Sequence, residues 1–97
     1  MKIQQEELNN DGSFFIKEDE QQLALMTYRM AADNILEILH TEVDERLKGK
    51  NVGSNLVTAA ANYARENNLR IRSLCSFAGA VLNKKKDVYA DVMEQVD

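Results

Sequence analysis

Between Val43 and Val52 the spacing of apolar residues changes from two to between three and four, and this change constrains the fold more than any other feature. In "ILEILHTEV" (Ile35–Val43), strict alternation puts Leu36, Ile38, His40 and Glu42 on one side and Ile35, Leu39, Thr41 and Val43 on the other. Apolar residues on both sides are expected of a strand inside a sheet. From Val52 onward, Val52, Leu56, Ala60 and Tyr63 recur at helical spacing with Val57, Ala61 and Ala64 beside them, as far as about Glu66, where Asn67 and Asn68 stop the helix. A strand that feeds a helix and then a second strand, "LRIRSLCS" (Leu69–Ser76), is a crossover unit, so these two strands should pair in parallel.

Two earlier runs, "SFFIKE" (Ser13–Glu18) and "LALMTYRM" (Leu23–Met30), have aromatic and β-branched content or two-residue alternation. Short polar breaks at "EDEQ" and Asp33–Asn34 separate them from each other and from the next strand, which predicts a three-strand antiparallel meander. After the crossover, Ser76 is placed to cap a short helix, "FAGAVLNK", with Phe77, Ala80 and Val81 turned inward. Beyond "KKK", Asp87 is placed to cap a last helix carrying Val88, Tyr89, Val92 and Met93. The expected fold is α/β: three antiparallel strands, a helix, a parallel fourth strand and short C-terminal helices, in one domain over residues 1–97.

Composition narrows the function classes. One cysteine, Cys75, excludes an internal disulfide and suits a reducing, cytoplasmic setting. No run approaches the roughly 20 apolar residues of a membrane span, and "MKIQQEELNN" has no apolar stretch of the export-signal kind. Twelve Lys and Arg against sixteen Asp and Glu give a net charge of −4, which opposes a nucleic-acid partner. No metal is implied. A basic site must therefore be local.

The loop "ERLKGKNVGS" is such a place. The start of a helix offers unpaired N–H groups and the positive end of a dipole, Gly49 and Gly53 permit close backbone approach, and Asn51 tolerates positive φ. Lys48 and Lys50 add charge. The string is neither G-x-x-x-x-G-K-S/T nor G-x-G-x-x-G. Two readings stand on physics alone: an anion site, or a turn followed by a solvated basic helix start.

"LKGKNVGSNLV" resembles the acyl-CoA pyrophosphate loop of the GNAT acetyltransferase superfamily, Gln/Arg-x-x-Gly-x-Gly/Ala opening a helix after a strand. Lys48 falls at the first position, keeping the charge; Asn51 replaces the first Gly, keeping a permissive backbone; Gly53 matches the last. "HTEV" and "LCSF" at the ends of the flanking strands are similar to the "HTxV" and "CS-Tyr/Phe" signatures of minimal stand-alone GNAT-like proteins. The likeness covers roughly Phe14 to Met93.

The resemblance implies acetyl-CoA as co-substrate and an amine acceptor. It implies a bulged strand whose edge at Thr41, Glu42 and Val43 pairs with the pantetheine arm, with the Val43 N–H polarising the thioester carbonyl. Lys48, Gly49, Lys50, Asn51, Val52, Gly53 and Ser54 would hold the pyrophosphate, and Ser76 and Phe77 would lie against the coenzyme. Lys84, Lys85 and Lys86 are either solvated surface or a contact to the coenzyme's 3′-phosphate.

Three residues are expected to carry the chemistry, each with a rival reading. Cys75, between a strand end and a helix start, is either a small buried hydrophobe or a nucleophile that takes the acetyl group. His40, the single histidine, is either a hydrogen-bonded core residue or the base that deprotonates an ammonium group, with Glu42 two residues on as the alternative base. Related sequences carry Tyr at the position of Phe77, so any proton for the departing thiolate must come from elsewhere, with Tyr89, Cys75 and Tyr28 as candidates. Exposed acids such as Glu37, Asp44 and Glu45 would attract a cationic acceptor. The expected function is acetyl-CoA-dependent N-acetyl transfer; the alternatives are a non-catalytic acyl-CoA-binding module and a structural interaction domain.

Overall fold

The computed structural model describes residues 2–94. Five strands form one sheet in the order of the chain: β1 (Gln4–Leu8), β2 (Asp11–Glu18), β3 (Gln21–Ala31), β4 (Ile35–Val43) and β5 (Arg70–Ser73). β1 to β4 are antiparallel neighbours, and β5 pairs with β4 in parallel after helix α1 (Val52–Glu66), as the change of period predicts. Helices α2 (Ser76–Lys84) and α3 (Lys86–Tyr89) complete the chain, and a parallel bridge lays Met93 beside Ile71.

The meander has four strands rather than three. β1 carries no hydrophobic signal because all five of its residues are exposed on the sheet edge, so its pairing with β2 is a main-chain affair. One side-chain cluster holds it down: the buried Tyr28 hydroxyl donates to Glu7 Oε1 at 2.7 Å and accepts from Gln5 Nε2 at 2.8 Å. Burial pushes the Tyr28 phenol well above the ordinary tyrosine range. Two of the three tight turns fall at the polar breaks; Asn9, Asp19, Glu20, Asp33 and Asn34 all have positive φ, which the short Asp and Asn side chains among them tolerate.

The core lies between the sheet and α1. Met26, Tyr28, Leu36 and Ile38 face Leu56, Val57, Ala60, Ala61 and Ala64, and the alanines let the helix approach the sheet closely. α2 presents Ala78 and Leu82 to this core, whereas Phe77 and Ala80, expected inward, are exposed. The reason is phase. The helix starts at Cys75 as N-cap, and Ser76 is its first residue rather than its cap. Asp87 likewise lies inside α3, whose N-cap is Lys85.

On the other face of the sheet, Glu37 is buried between two arginines: Arg29 Nη2 on β3 at 2.7 Å and Arg72 Nη1 on β5 at 2.8 Å. Arg72 also donates from Nε to Glu94 Oε1 at 2.8 Å, tying the C-terminal segment to β5. Glu37 is therefore no exposed lure for a cation, and Asp44 and Glu45 are paired with Arg46 and Lys48. Hydrogen bonds from Arg72 and then Arg29 hold the Glu37 carboxyl below the usual carboxylate range, and Arg72 does the same for Glu94. A carboxylate with a depressed pKa stabilises the fold at neutral pH and loses that contribution as pH falls through its folded value. Glu37→Gln should lower the melting temperature at pH 7 and flatten the acid decline of stability between about pH 5 and pH 3. Identical melting-against-pH curves for the two proteins would show that the network contributes nothing.

Candidate active site

An irregularity in β4 builds the site. Thr27 pairs with His40 and Tyr28 with Ile38, so Leu39 is an extra residue with no partner on β3. Because side chains alternate, one inserted residue turns everything beyond it to the opposite face. His40 and Glu42, expected beside Leu36 and Ile38, lie instead with Thr27 and Leu25 on the face away from α1, and Thr41 and Val43 take the α1 side with Met26 and Ala24. The bulge falls just before Thr41–Val43.

At the same level β4 and β5 part. The parallel ladder spans Ile35–Ile38 against Arg70–Ser73, and the Leu74 N–H to Ile38 carbonyl bond, 2.8 Å, is the last one joining them. Beyond it the β4 edge runs unpaired with β5, and Cys75 stands across the gap with Sγ 3.5 Å from Thr41 Oγ1. Ser73 Oγ donates to the Cys75 carbonyl at 2.7 Å and accepts from the Cys75 N–H at 3.2 Å, fixing this backbone as it enters α2. Ser73 was not among the residues the sequence singles out; a Ser two before a helix start was the available signal.

Cys75 is half-buried. Burial pushes its thiol up, but the Thr41 hydroxyl and the amides of Ala78, Phe77 and Thr41 together favour the thiolate more, leaving the thiol below its ordinary range. The α2 amides act at the helix start without a full capping hydrogen bond to Sγ.

The second part of the site is the start of α1. A 3-10 turn, Glu45–Leu47, is closed by Asp44, whose Oδ1 accepts from the Arg46 N–H at 2.9 Å. Gly49 (φ 80°) and Asn51 (φ 59°) then take left-handed conformations, and Asn51 is the N-cap of α1 with no side-chain hydrogen bond. The first amides of α1 are thus left without a capping acceptor, no acidic residue stands in its first turn, and Lys48 and Lys50 are exposed beside it. Lys48 Nζ reaches Glu45 at 2.9 Å. Val43, Leu47, Lys48, Gly49, Asn51, Val52, Gly53, Ser54 and Phe77 line a cleft of about 250 Å³ here.

The family model described as GCN5-related N-acetyl-transferase matches residues 13–92. The chain belongs to this family. A solution structure of a GCN5-like N-acetyltransferase candidate from Staphylococcus aureus is 40% identical, with 97% of this chain and 90% of that one covered and a TM-score of 0.74. Two larger acetyltransferases share the fold at low identity. Ribosomal-protein-alanine N-acetyltransferase from Brucella melitensis is 13% identical with a TM-score of 0.63, covering 91% of this chain and 64% of that one. A Bacillus anthracis protein assigned as a streptothricin acetyltransferase, solved with acetyl coenzyme A, is 20% identical with a TM-score of 0.60, covering 80% and 47%. No match was found among curated proteins.

Of the loop residues that the sequence singles out, Lys48, Gly49, Asn51, Val52, Gly53 and Ser54 share one cleft with Phe77, Lys50 is exposed outside its lining, and Thr41 meets Cys75. His40 Nε2 and Glu42 Oε2 lie 3.5 Å apart, both exposed, which removes the core reading of His40. Ser76 is exposed and makes no cap. Tyr28 is committed to Glu7, and the Tyr89 hydroxyl lies 3.0 Å from Thr58 Oγ1 against α1, so neither phenol is free to serve the thiol gap. Lys84–Lys86 are solvated. A larger, shallow hollow of about 580 Å³, with Glu6, Asp11, Leu25 and Thr27 among its walls, occupies the sheet face that carries His40 and Glu42. It contains neither a cysteine nor the start of a helix.

Thr41→Val removes the hydroxyl that faces the thiolate. The midpoint of the Cys75 alkylation-against-pH curve should move up, because losing a stabilising hydrogen bond raises the thiol pKa. An unmoved midpoint would separate Thr41 from the thiol.

Proposed function

We propose that the protein transfers an acetyl group from acetyl-CoA to an amine, with the coenzyme's diphosphate on the main-chain amides at the start of α1 and its thioester along β4. One observation carries this: an uncapped, basic helix start lies beside a β4 edge that the Leu39 bulge and the parting of β5 leave open. In this reading Lys48, Gly49, Lys50, Asn51, Val52, Gly53 and Ser54 hold the diphosphate, Thr41 and Val43 line the pantetheine arm, and Phe77 walls the cleft. Ser76, at the exposed start of α2, makes a peripheral contact.

The amine nitrogen attacks the thioester carbonyl from the face that bears His40 and Glu42. The N–C bond forms as the carbonyl π pair moves onto oxygen, the ammonium proton passes to His40, or through water to Glu42, and on return of that pair the C–S bond breaks with its electrons leaving on the CoA sulfur. The Val43 N–H would stabilise the oxyanion. A covalent variant has one specific support, the lowered thiol of Cys75 beside the open edge. There the Cys75 thiolate takes the acetyl group and expels CoA, and the amine then attacks the new thioester. The single free cysteine fits a cytoplasmic setting.

Titration with CoA followed by amide NMR is expected to move residues 48–54 and 41–43 first. Gly49→Val, which forces a β-branched residue to φ 80° although the space around a Cβ is open, should weaken CoA binding by about tenfold or more. Resonances of 48–54 unmoved at saturation would remove the donor site. Intact mass after incubation with acetyl-CoA alone separates the two routes: an acetyl adduct absent in Cys75→Ala is expected of the covalent route, and an unmodified chain of direct transfer.

A further inference from the structure

The two glycines of the loop have different reasons to be glycine. Gly49 needs its positive φ, and nothing lies within 4 Å of a Cβ built there. Gly53 is inside the first turn of α1 with ordinary helical backbone, where glycine is intrinsically worse than alanine. Yet a Cβ on Gly53 would lie 2.5 Å from Phe77 Cζ and 2.7 Å from Cε2, and the third nearest atom, Cε1 at 3.5 Å, belongs to the same ring. No backbone atom is among the three. The missing side chain at 53 therefore faces the tip of the Phe77 ring. That ring is 44% exposed, so burial in the core does not hold it, and it lines the same cleft as Gly53.

We propose that Gly53 is a seat for the Phe77 ring, and that Phe77 is a positioning residue whose place in this seat keeps the donor cleft open. This rests on the acetyl-CoA reading above and adds to it. The glycine at the helix start serves the aromatic residue at the start of α2 as well as the approach of a phosphate. Any side chain at 53 pushes the ring off the helix, and the ring already lines the cleft bounded by Val43 and Leu47, which offers it free space. Because the displaced group is the tip of a half-exposed side chain, the fold tolerates the change and the cleft does not.

The test is a pair of variants. Gly53→Ala should melt at or above the wild-type temperature, since alanine is the better helix former, while its CoA affinity falls by about tenfold. Gly53→Ala made in a Phe77→Leu background, where the shorter side chain leaves room for the methyl, should bind CoA within about threefold of Phe77→Leu alone. In spectra without ligand, ring cross-peaks of Phe77 should connect to Gly53 in the wild type and to Val43 and Leu47 in Gly53→Ala. A loss on Gly53→Ala in the Phe77→Leu background as large as in the wild type would mean that phosphate approach alone demands glycine, and would overturn the proposal. So would ring cross-peaks unchanged by Gly53→Ala. If the wild type takes up no CoA at all, the functional reading fails, and the ring cross-peaks alone decide the seat: their transfer to Val43 and Leu47 upholds it, and their persistence overturns it.

Discussion

The unpaired Leu39 in β4 is the constraint on which the site depends. Side chains on a strand alternate except where a bulge adds a residue, so Leu39, with no partner on β3, reverses the facing of the positions after it. That reversal turns Thr41 toward Cys75 and leaves His40 and Glu42 on the opposite face. The Cys75 thiol and the His40–Glu42 pair thus flank β4 from two sides. The same level of the sheet is where β5 stops pairing, so the main-chain groups of β4 are left open where chemistry needs them.

A sheet that parts on one side must be held on the other. The buried Glu37 carboxylate joins Arg29 of β3 to Arg72 of β5, and Arg72 reaches on to Glu94. These charged hydrogen bonds lie at the paired end of β4 and β5, just below the point of separation, so the gap opens from a fixed base. Such a network is stronger than an isolated surface pair because each guanidinium and carboxylate is shared and partly withdrawn from water. The ion pairs Asp44–Arg46 and Glu45–Lys48 are exposed and count for less, although the first shapes the turn that leads into α1.

Two helix starts converge on the opening and are prepared differently. α1 begins at a left-handed Asn51 that gives its amides no side-chain acceptor and has lysines nearby, which suits a large external anion. α2 begins at Cys75, whose backbone Ser73 fixes and whose sulfur meets the helix amides, which suits an internal one. The Phe77 ring on Gly53 is where these two starts touch.

What the sequence determined by itself follows from local physics. Alternation in Leu23–Met30 and Ile35–Val43, polar pairs able to adopt positive φ between the strands, and the helical run from Val52 place β2 to β4, α1 and the parallel β5, and "LKGKNVGS" with its flanking "HTEV" and "LCSF" marks the loop before α1 and the family. Tertiary structure alone decided the rest. β1 exists through main-chain pairing with a neighbour and one buried tyrosine, which composition does not encode; the inward face of α2 depends on a helix start one residue earlier than its serine suggests; and Glu37 is buried only because two arginines from other strands meet it. The facing of His40 depends on a single register shift against β3, and register is a relation between strands that no one strand carries in its own residues.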